Sequence, residues 1–203
     1  MKKFNTLFAP AILLASLHSF VFSMDDKSNE YFPIAKGSSW TYKNFEKNFI
    51  WTIEVVGIRT INQKEYVIFK RNFENNIYSD SSFYRIDASG KVFINYFERD
   101  YLLIDFNSDK GTKWQSYGAF KAEVLNTGEV VLAPAGNFIN CIEVSFEMSV
   151  TDGTERVCKY GPRVGLVEYK TADGLSKLIS AKVEGVSYPI TSHFITSKDI
   201  EKF

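Results

Sequence analysis

The stretch Lys36-Gly37-Ser38-Ser39-Trp40-Thr41-Tyr42 returns in altered form as Lys110-Gly111-Thr112-Lys113-Trp114-Gln115-Ser116-Tyr117. Each copy reads Lys-Gly, a hydroxyl residue, one free position and Trp, with Tyr two or three residues later. Glycine allows turn conformations that other residues adopt only at a cost. The Trp then opens a strand and contributes a large surface for burial. The pattern predicts one turn-and-strand unit at two places in the chain.

The residues that follow each copy also correspond. Tyr84 matches Tyr160 at an offset of 76, Gly90 matches Gly165 at 75, and the two Trp residues lie 74 apart. A nearly constant offset at three landmarks is typical of an internal repeat. We therefore interpret the chain as one β unit used twice.

The composition and the spacing of turn residues favour strands throughout. Aromatic residues make up 16% of the chain, and aromatic and β-branched residues are favoured in strands. From Ser39 onward, short apolar or alternating runs are separated by turn residues. Leu175 to Val186 alternates and is bracketed by glycines, so we expect a strand there. The sequence predicts an all-β fold: a large curved antiparallel sheet or partly open barrel, built from two similar β units of about 75 residues, with about eleven to thirteen strands and little or no helix.

The N-terminal residues 1–23 have the features of a secretory signal peptide. Met1-Lys2-Lys3 is basic, residues 7–17 are almost entirely apolar, and Ser23 offers a small residue for cleavage. The apolar run is shorter than the roughly 20 residues of a membrane-spanning helix. We expect cleavage after Ser23, no membrane span in the remaining chain, and an exported protein, periplasmic or secreted.

The rest of the chain is expected to form a single domain. We assign residues 24–190 to one β domain, with repeat units at about 31–104 and 105–188, and residues 189–203 to a loose C-terminal tail. Two units of about 75 residues suit one shared core better than two separate ones.

The clearest hairpin spans Ile139 to Tyr160. Period-two alternation from Ile139 to Val150 predicts a half-buried antiparallel strand, and Asp152-Gly153 is a typical two-residue turn. In that register facing residue numbers sum to 305, so Cys158 faces Glu147 and both cysteines lie on the polar face. Cys141 and Cys158 are then about 20 Å apart, beyond the reach of a disulfide. We predict that they are not bridged.

Several motifs resemble those of a group of exported bacterial all-β proteins of unknown function. That group carries YFP…G…W.Y, DF…GDTW, PAGTF..C and APGVGLV in this order. The corresponding stretches here are Tyr31-Phe32-Pro33-Ile34 with Gly37 to Tyr42, Asp105-Phe106 with Gly111 to Trp114, Pro134 to Cys141, and Tyr160 to Val167. The chain departs at Lys113 and in the Gly161-Pro162 order. The resemblance covers nearly the whole exported chain and implies a shared fold, but no chemistry.

Searches for reactive or metal-binding patterns give little. Asp105, Asn107 and Asp109 are spaced like the start of a calcium loop, but its central Gly and final Glu are missing. His193 is the only histidine after the signal segment, so zinc binding and a Cys141–His193 nucleophile pair are both poorly supported. Nucleophile-elbow, phosphate-loop and dinucleotide motifs are missing as well. We name no catalytic, cofactor-binding or metal-binding residue and expect no cofactor.

Six aromatic residues allow two interpretations. They could line a sugar or lipid site, or they could serve as core and cross-strand packing, which aromatics dominate in β proteins. The six are Trp40, Tyr42, Trp51, Tyr84, Tyr96 and Trp114.

The charge distribution excludes some classes of partner. The 24 basic residues match 24 acidic ones and form no stripe, which argues against nucleic acid. The leading hypothesis is an exported, non-enzymatic binding or envelope-associated protein that holds an apolar small molecule on an aromatic sheet face, or contacts an envelope component. The alternative is a hydrolase that acts on envelope polymers through paired carboxylates.

Overall fold

The computed structural model describes residues 27–74, 78–148 and 155–189. The signal segment, the Asp152-Gly153 turn, His193 and nearly all of the expected tail lie outside these residues. The described chain forms one short helix, α1 (Lys27–Tyr31), and thirteen strands. The strands are β1 (Ser39–Asn44), β2 (Phe49–Ile61), β3 (Lys64–Phe73), β4 (Ser79–Ile86), β5 (Lys91–Tyr96), β6 (Arg99–Asp105), β7 (Lys113–Gln115), β8 (Phe120–Ala133), β9 (Gly136–Met148), β10 (Glu155–Gly161), β11 (Gly165–Thr171), β12 (Gly174–Val183) and β13 (Val186–Tyr188).

All strands belong to one antiparallel sheet that is nearly closed into a barrel. The order is β6-β5-β4-β3-β2-β1-β12-β11-β10-β9-β8-β7, and β13 pairs with β12. Each half is therefore an up-and-down meander, and β1 pairs with β12 to join the two. The predicted all-β fold class is confirmed, and the predicted strand near residues 175–186 corresponds to β12 and β13.

The barrel has a seam where its two edge strands, β6 and β7, approach each other. In the described chain no ladder pairs them, whereas β1 and β12 pair along six positions. A side-chain hydrogen bond crosses the seam: Trp114 Nε1 donates to the carbonyl oxygen of Leu103 at 3.1 Å. The sheet is thus continuous everywhere except at this junction.

The two Lys-Gly turns have the same backbone geometry. Gly37 and Gly111 both have φ of 85°, a conformation that favours glycine. The Gly37 N–H donates to Val55 O at 2.9 Å, and the Gly111 N–H donates to Val124 O at 2.8 Å. Each turn therefore ties the entry of one strand to the strand that follows it.

The two Trp residues that open these strands differ in burial. Trp40 is 3% exposed, while Trp114 is only partly buried. The expectation that both are buried at the start of a strand is therefore met in full by Trp40 and only in part by Trp114. The reason is its position, since β7 has only three residues and lies at the seam, where the described residues supply a paired strand on one side only.

The β8–β9 hairpin packs back onto the outside of the sheet. Its distal half is held by the Ala135 N–H, which donates to Leu178 O on β12 at 3.1 Å. Phe138 and Cys141 are buried with Val167 in an apolar cluster that continues through the sheet to Trp40 and Tyr42. This second layer explains why Cys141 is fully buried, although the alternating pattern predicted it on the polar face.

Strands β9 and β10 pair in a register that differs from the expected one. Glu155 faces Glu147 and Cys158 faces Val144, so facing numbers sum to 302 rather than 305. A shift by an odd number moves every side chain of β10 to the other face. The observed register places Cys158 and Tyr160 among apolar side chains, and this burial is the physical reason that it prevails over the turn-based prediction.

Both cysteines are free and buried. In the observed register they lie three ladder positions apart, about 10 Å, and on opposite faces of the sheet. A disulfide requires Cα atoms within about 7 Å. The unbridged state was expected, but for a different geometric reason.

Within the described ranges, no helix has the length and apolar character needed to cross a membrane.

Candidate functional site

A cavity of about 300 Å³ lies inside the curved sheet. Five of the six candidate aromatic residues line it. The sequence alone left open whether these residues line a site or only pack in the core. These five are Trp40, Tyr42, Trp51, Tyr84 and Tyr96. The sixth, Trp114, does not line the cavity but closes part of the seam. The aromatic set is therefore both core packing and cavity wall.

Alternation along β1 and β2 directs the large rings inward. Trp40 and Tyr42 are buried positions of β1, as is Asn44, and partly exposed residues alternate with them. Tyr42 pairs with Trp51 across the strands, and their rings stack at a centroid distance of 4.2 Å. The polar atoms of the β1 rings are already satisfied, because Tyr42 Oη donates to Leu166 O at 2.9 Å and Trp40 Nε1 to Val164 O at 2.5 Å. What these rings offer to a ligand is therefore apolar surface.

The segment that follows α1 covers one end of the cavity. Phe32 lies between three cavity rings, with centroid distances of 5.4 Å to Phe69, 5.2 Å to Tyr84 and 6.5 Å to Tyr160. Pro33 also lines the cavity. Side chains that precede the first strand therefore close this end of the cavity.

Hydrogen bonds from α1 anchor the covering segment that follows it. The Arg163 N–H, in the β10–β11 turn, donates to Glu30 O at 2.6 Å. Ser28 Oγ donates to Gly90 O, in the β4–β5 turn. These turns mark the covered end of the barrel, and the β5–β6 and β7–β8 turns lie at the opposite end.

The polar side chains of the cavity lie toward that opposite end. Arg71 on β3 and Asp80 on β4 face each other across the ladder and form a two-point ion pair, with Arg71 Nε 3.1 Å from Asp80 Oδ1. Burial alone would lower the pKa of Arg71, but the Asp80 carboxylate outweighs it and raises that pKa above its ordinary value. The two opposite charges of Arg71 and Asp80 therefore cancel, and the pair adds no net charge to the cavity.

Arg156 is the second guanidinium of the cavity, and its surroundings are different. Its Nη1 donates to Tyr117 Oη at 2.9 Å, and its guanidinium carbon lies 4.5 Å from the centroid of the Phe120 ring. No Asp or Glu of the described ranges lies within ion-pair distance of it. Since Asp80 is the one carboxylate among the described lining residues and is taken by Arg71, the cavity has one unmatched positive charge.

The phenols around these cations remain neutral at ordinary pH. Burial raises the pKa of Tyr84 and of Tyr169 to about 12. Burial also raises the pKa of Tyr117, although its neighbour Arg156 acts in the opposite direction. These hydroxyls can therefore donate and accept hydrogen bonds near Arg156 but add no charge.

The cysteines are poor candidates for nucleophiles. Cys158 lines the cavity, and burial raises the pKa of its thiol to about 12. Burial likewise raises the pKa of Cys141 to about 11, and Cys141 lies in the second apolar layer rather than on the cavity wall. The thiolate is the reactive form of cysteine, and neither site favours it.

The calcium-like stretch forms a turn stabilised by its own side chains. Asp105 Oδ1 accepts from the Asn107 N–H at 3.0 Å, and Asp105 Oδ2 lies 3.5 Å from Lys91 Nζ. Within residues 27–74, 78–148 and 155–189, no group of three His, Cys, Asp or Glu side chains is placed to hold a metal ion.

Sequence reasoning missed the two cations and several rings of the cavity. A signal was available in the period of two: Arg71 shares the face of Phe69 on β3, and Arg156 shares the face of Cys158 and Tyr160 on β10. The register error on β10 concealed the second of these relations.

No protein-family model matches the chain, and no curated protein matches it. Two solved structures are similar to it over three quarters of its length. A protein from Parabacteroides distasonis, described as a lipoprotein, has 15% identity and a TM-score of 0.51, over 75% of this chain and 98% of that one. A protein from Bacteroides fragilis, described as exported and as having a YmcC-like fold, has 16% identity and a TM-score of 0.49, over 75% and 99%. At such identities the likeness to the Parabacteroides protein concerns the fold alone.

Proposed function

We propose that this chain is an exported, non-enzymatic binding protein that holds an apolar ligand in the cavity of its barrel. The observation that carries this proposal is the state of the cavity rings. Trp40 and Tyr42 direct their polar atoms to backbone carbonyls and leave apolar ring surface facing the cavity. A concave apolar site with a few polar groups at one end is the usual form of a small-molecule site.

The size of the cavity limits the ligand. A volume of about 300 Å³ lies at the lower end of the range found for ligand pockets and equals the volume of about ten water molecules. It suits one small ring system or one acyl chain. A two-chain lipid would not fit without opening the seam.

The alternative, a carboxylate-dependent hydrolase for envelope polymers, receives less support from the cavity. Glycoside hydrolysis typically uses two carboxyl groups about 5–10 Å apart, one of them free to act as acid. Asp80 is the one carboxylate among the described lining residues, and it is bound on both oxygens by Arg71. We therefore prefer binding.

Export and duplication are part of the same proposal. The basic and apolar pattern of residues 1–23 supports a signal peptide, and N-terminal sequencing of the processed protein tests cleavage after Ser23. The matched turns at Gly37 and Gly111, together with the equal number of meander strands in each half, support an internal duplication.

A fluorescent apolar probe tests ligand binding directly. We expect N-phenyl-1-naphthylamine to bind the purified protein and to gain fluorescence. Ser82→Phe should weaken that binding, because Ser82 lines the cavity and the added ring fills it. Ser81→Phe is the matched control, since Ser81 lies next to it on the same strand and is exposed. Equal probe binding by both variants would contradict the proposed site.

Extraction with organic solvent and mass spectrometry then identifies the natural occupant. The wild-type protein purified from its own envelope should release a molecule that Ser82→Phe lacks and Ser81→Phe retains. Recovery of the same molecule from all three proteins would show that it binds elsewhere.

A further inference from the structure

We propose that the ligand is a single-chain amphiphile with an anionic head, and that Arg156 and Tyr117 bind that head. This inference rests on the proposed apolar-ligand function and names the class of ligand. The head is a carboxylate or a phosphate, because a guanidinium binds both through paired N–H donors. The apolar chain occupies the aromatic part of the cavity.

The contrast between the two cavity arginines carries the argument. Arg71 is matched by Asp80 on two atoms. Arg156 makes one hydrogen bond to the described residues, from Nη1 to a neutral phenol, and otherwise lies over the Phe120 ring. A guanidinium has five N–H donors, so most of those on Arg156 remain for a ligand. Charges removed from water are usually paired, and within the described chain no carboxylate pairs with the half-buried Arg156.

The position of Arg156 fits the head of an amphiphile. It lies near the start of β10 and at the end of the barrel opposite α1, beside Tyr117 in the β7–β8 turn. Tyr96, which is 41% exposed, contacts the Tyr117 ring at 5.7 Å. The head would therefore lie near solvent.

The chain would run inward along β10. Tyr160 lines the same face four residues further on, a distance of about 13 Å at roughly 3.3 Å per residue. There Phe32 contacts Tyr160 and covers the end of the cavity. This depth accommodates a chain of medium length in an extended form, and the covering segment sets the limit.

Calorimetric titration with ligands that share one chain tests the inference. The probes are dodecanoate, dodecyl phosphate, dodecanol and dodecyltrimethylammonium, each below its micelle concentration. We expect at least one of the two anions to bind roughly 10- to 100-fold more tightly than dodecanol, the usual effect of charge-assisted hydrogen bonds. The ammonium ligand should bind most weakly. Preference between the two anions distinguishes a free fatty acid from a phosphate head.

Variants of Arg156 then assign the effect to this residue. Arg156→Gln should remove the advantage of the anions and leave dodecanol binding nearly unchanged. Arg156→Lys should restore part of the advantage of the anions, because lysine keeps the positive charge but lacks the paired N–H donors of a guanidinium. Arg99→Gln, at an exposed position of β6, is the control and should bind like the wild type. Unfolding midpoints confirm that each variant is folded.

The outcomes separate this inference from the function it rests on. If dodecanol binds as tightly as both anions, or if Arg156→Gln weakens all ligands equally, the anionic head is refuted while apolar binding stands. If none of the four ligands binds the folded wild-type protein, both proposals fail. Anion preference that survives in Arg156→Gln would also refute the assignment to Arg156.

Discussion

Replacing Trp40 and Trp114 by Ala, one at a time, should show that the β1–β12 junction contributes more to the stability of the barrel than the seam does. Trp40 is 3% exposed, stacks on Phe69 at 5.9 Å and donates to the carbonyl of Val164, which is itself fully buried. Trp40→Ala should cost about 3–5 kcal/mol of unfolding free energy, from lost transfer energy and the space left behind. Trp114→Ala should cost about 1.5–3 kcal/mol, because less of its surface leaves water.

Urea unfolding followed by circular dichroism measures both variants. With a slope of about 2 kcal/mol per molar urea, Trp40→Ala should lower the midpoint by roughly 2 M and Trp114→Ala by roughly 1 M. Trp40→Phe keeps most of the ring and removes the N–H donor, so it isolates the unsatisfied Val164 carbonyl, about 1–3 kcal/mol. A loss at Trp114 equal to or greater than that at Trp40 would refute the reasoning, because it would mean that the seam is as firmly packed as the β1–β12 junction.

Two further predictions concern ionisation and thiol chemistry. Burial alone would raise the pKa of Asp100, but hydrogen bonds from Arg85 and Lys64 outweigh it and hold that pKa below 3.8; this stabilisation is present at neutral pH and is lost as pH falls through the folded-state pKa. Asp100→Asn should therefore be less stable than the wild type at pH 7, and the gap between their unfolding free energies should close below pH 3.8; a gap that is independent of pH would contradict the ion pairs. Cys141 and Cys158 should resist Ellman's reagent at pH 8 in the folded protein, because both are buried and their pKa values are raised to about 11 and about 12. Unfolding without reductant should release two thiols per chain, and none would show a bridge.

Local patterns were sufficient to predict the class of the fold. Alternating runs and glycine turns indicated an antiparallel all-β chain, because both follow from neighbouring residues alone. The same patterns could not say which face of each strand lies inside. Cys141 illustrates the limit: its strand predicts a polar face, and the position is buried only because the β8–β9 hairpin, which carries it, packs back onto the sheet.

The candidate site depended on contacts that are distant in the sequence. Trp40 and Tyr84 were recognised as candidates by residue type, but their convergence on one cavity requires the closure of the barrel. Arg156 was missed because its face follows from the β9–β10 register, and that register was inferred from the Asp-Gly turn. Apolar burial of Cys158 opposite Val144 decides the register instead, since a slip of an odd number of residues reverses the two faces.

The seam also bears on how the protein limits aggregation with other copies of itself. Among the described residues, no strand pairs with the outer side of β6 or of β7, and such edges are templates for pairing with another chain. The chain limits this risk in two ways, since β7 is only three residues long and β6 begins with the charged pair Arg99-Asp100. Lengthening β7 or replacing those charges with apolar residues should therefore promote edge-to-edge pairing between chains, with fibrils or domain-exchanged dimers as the visible result.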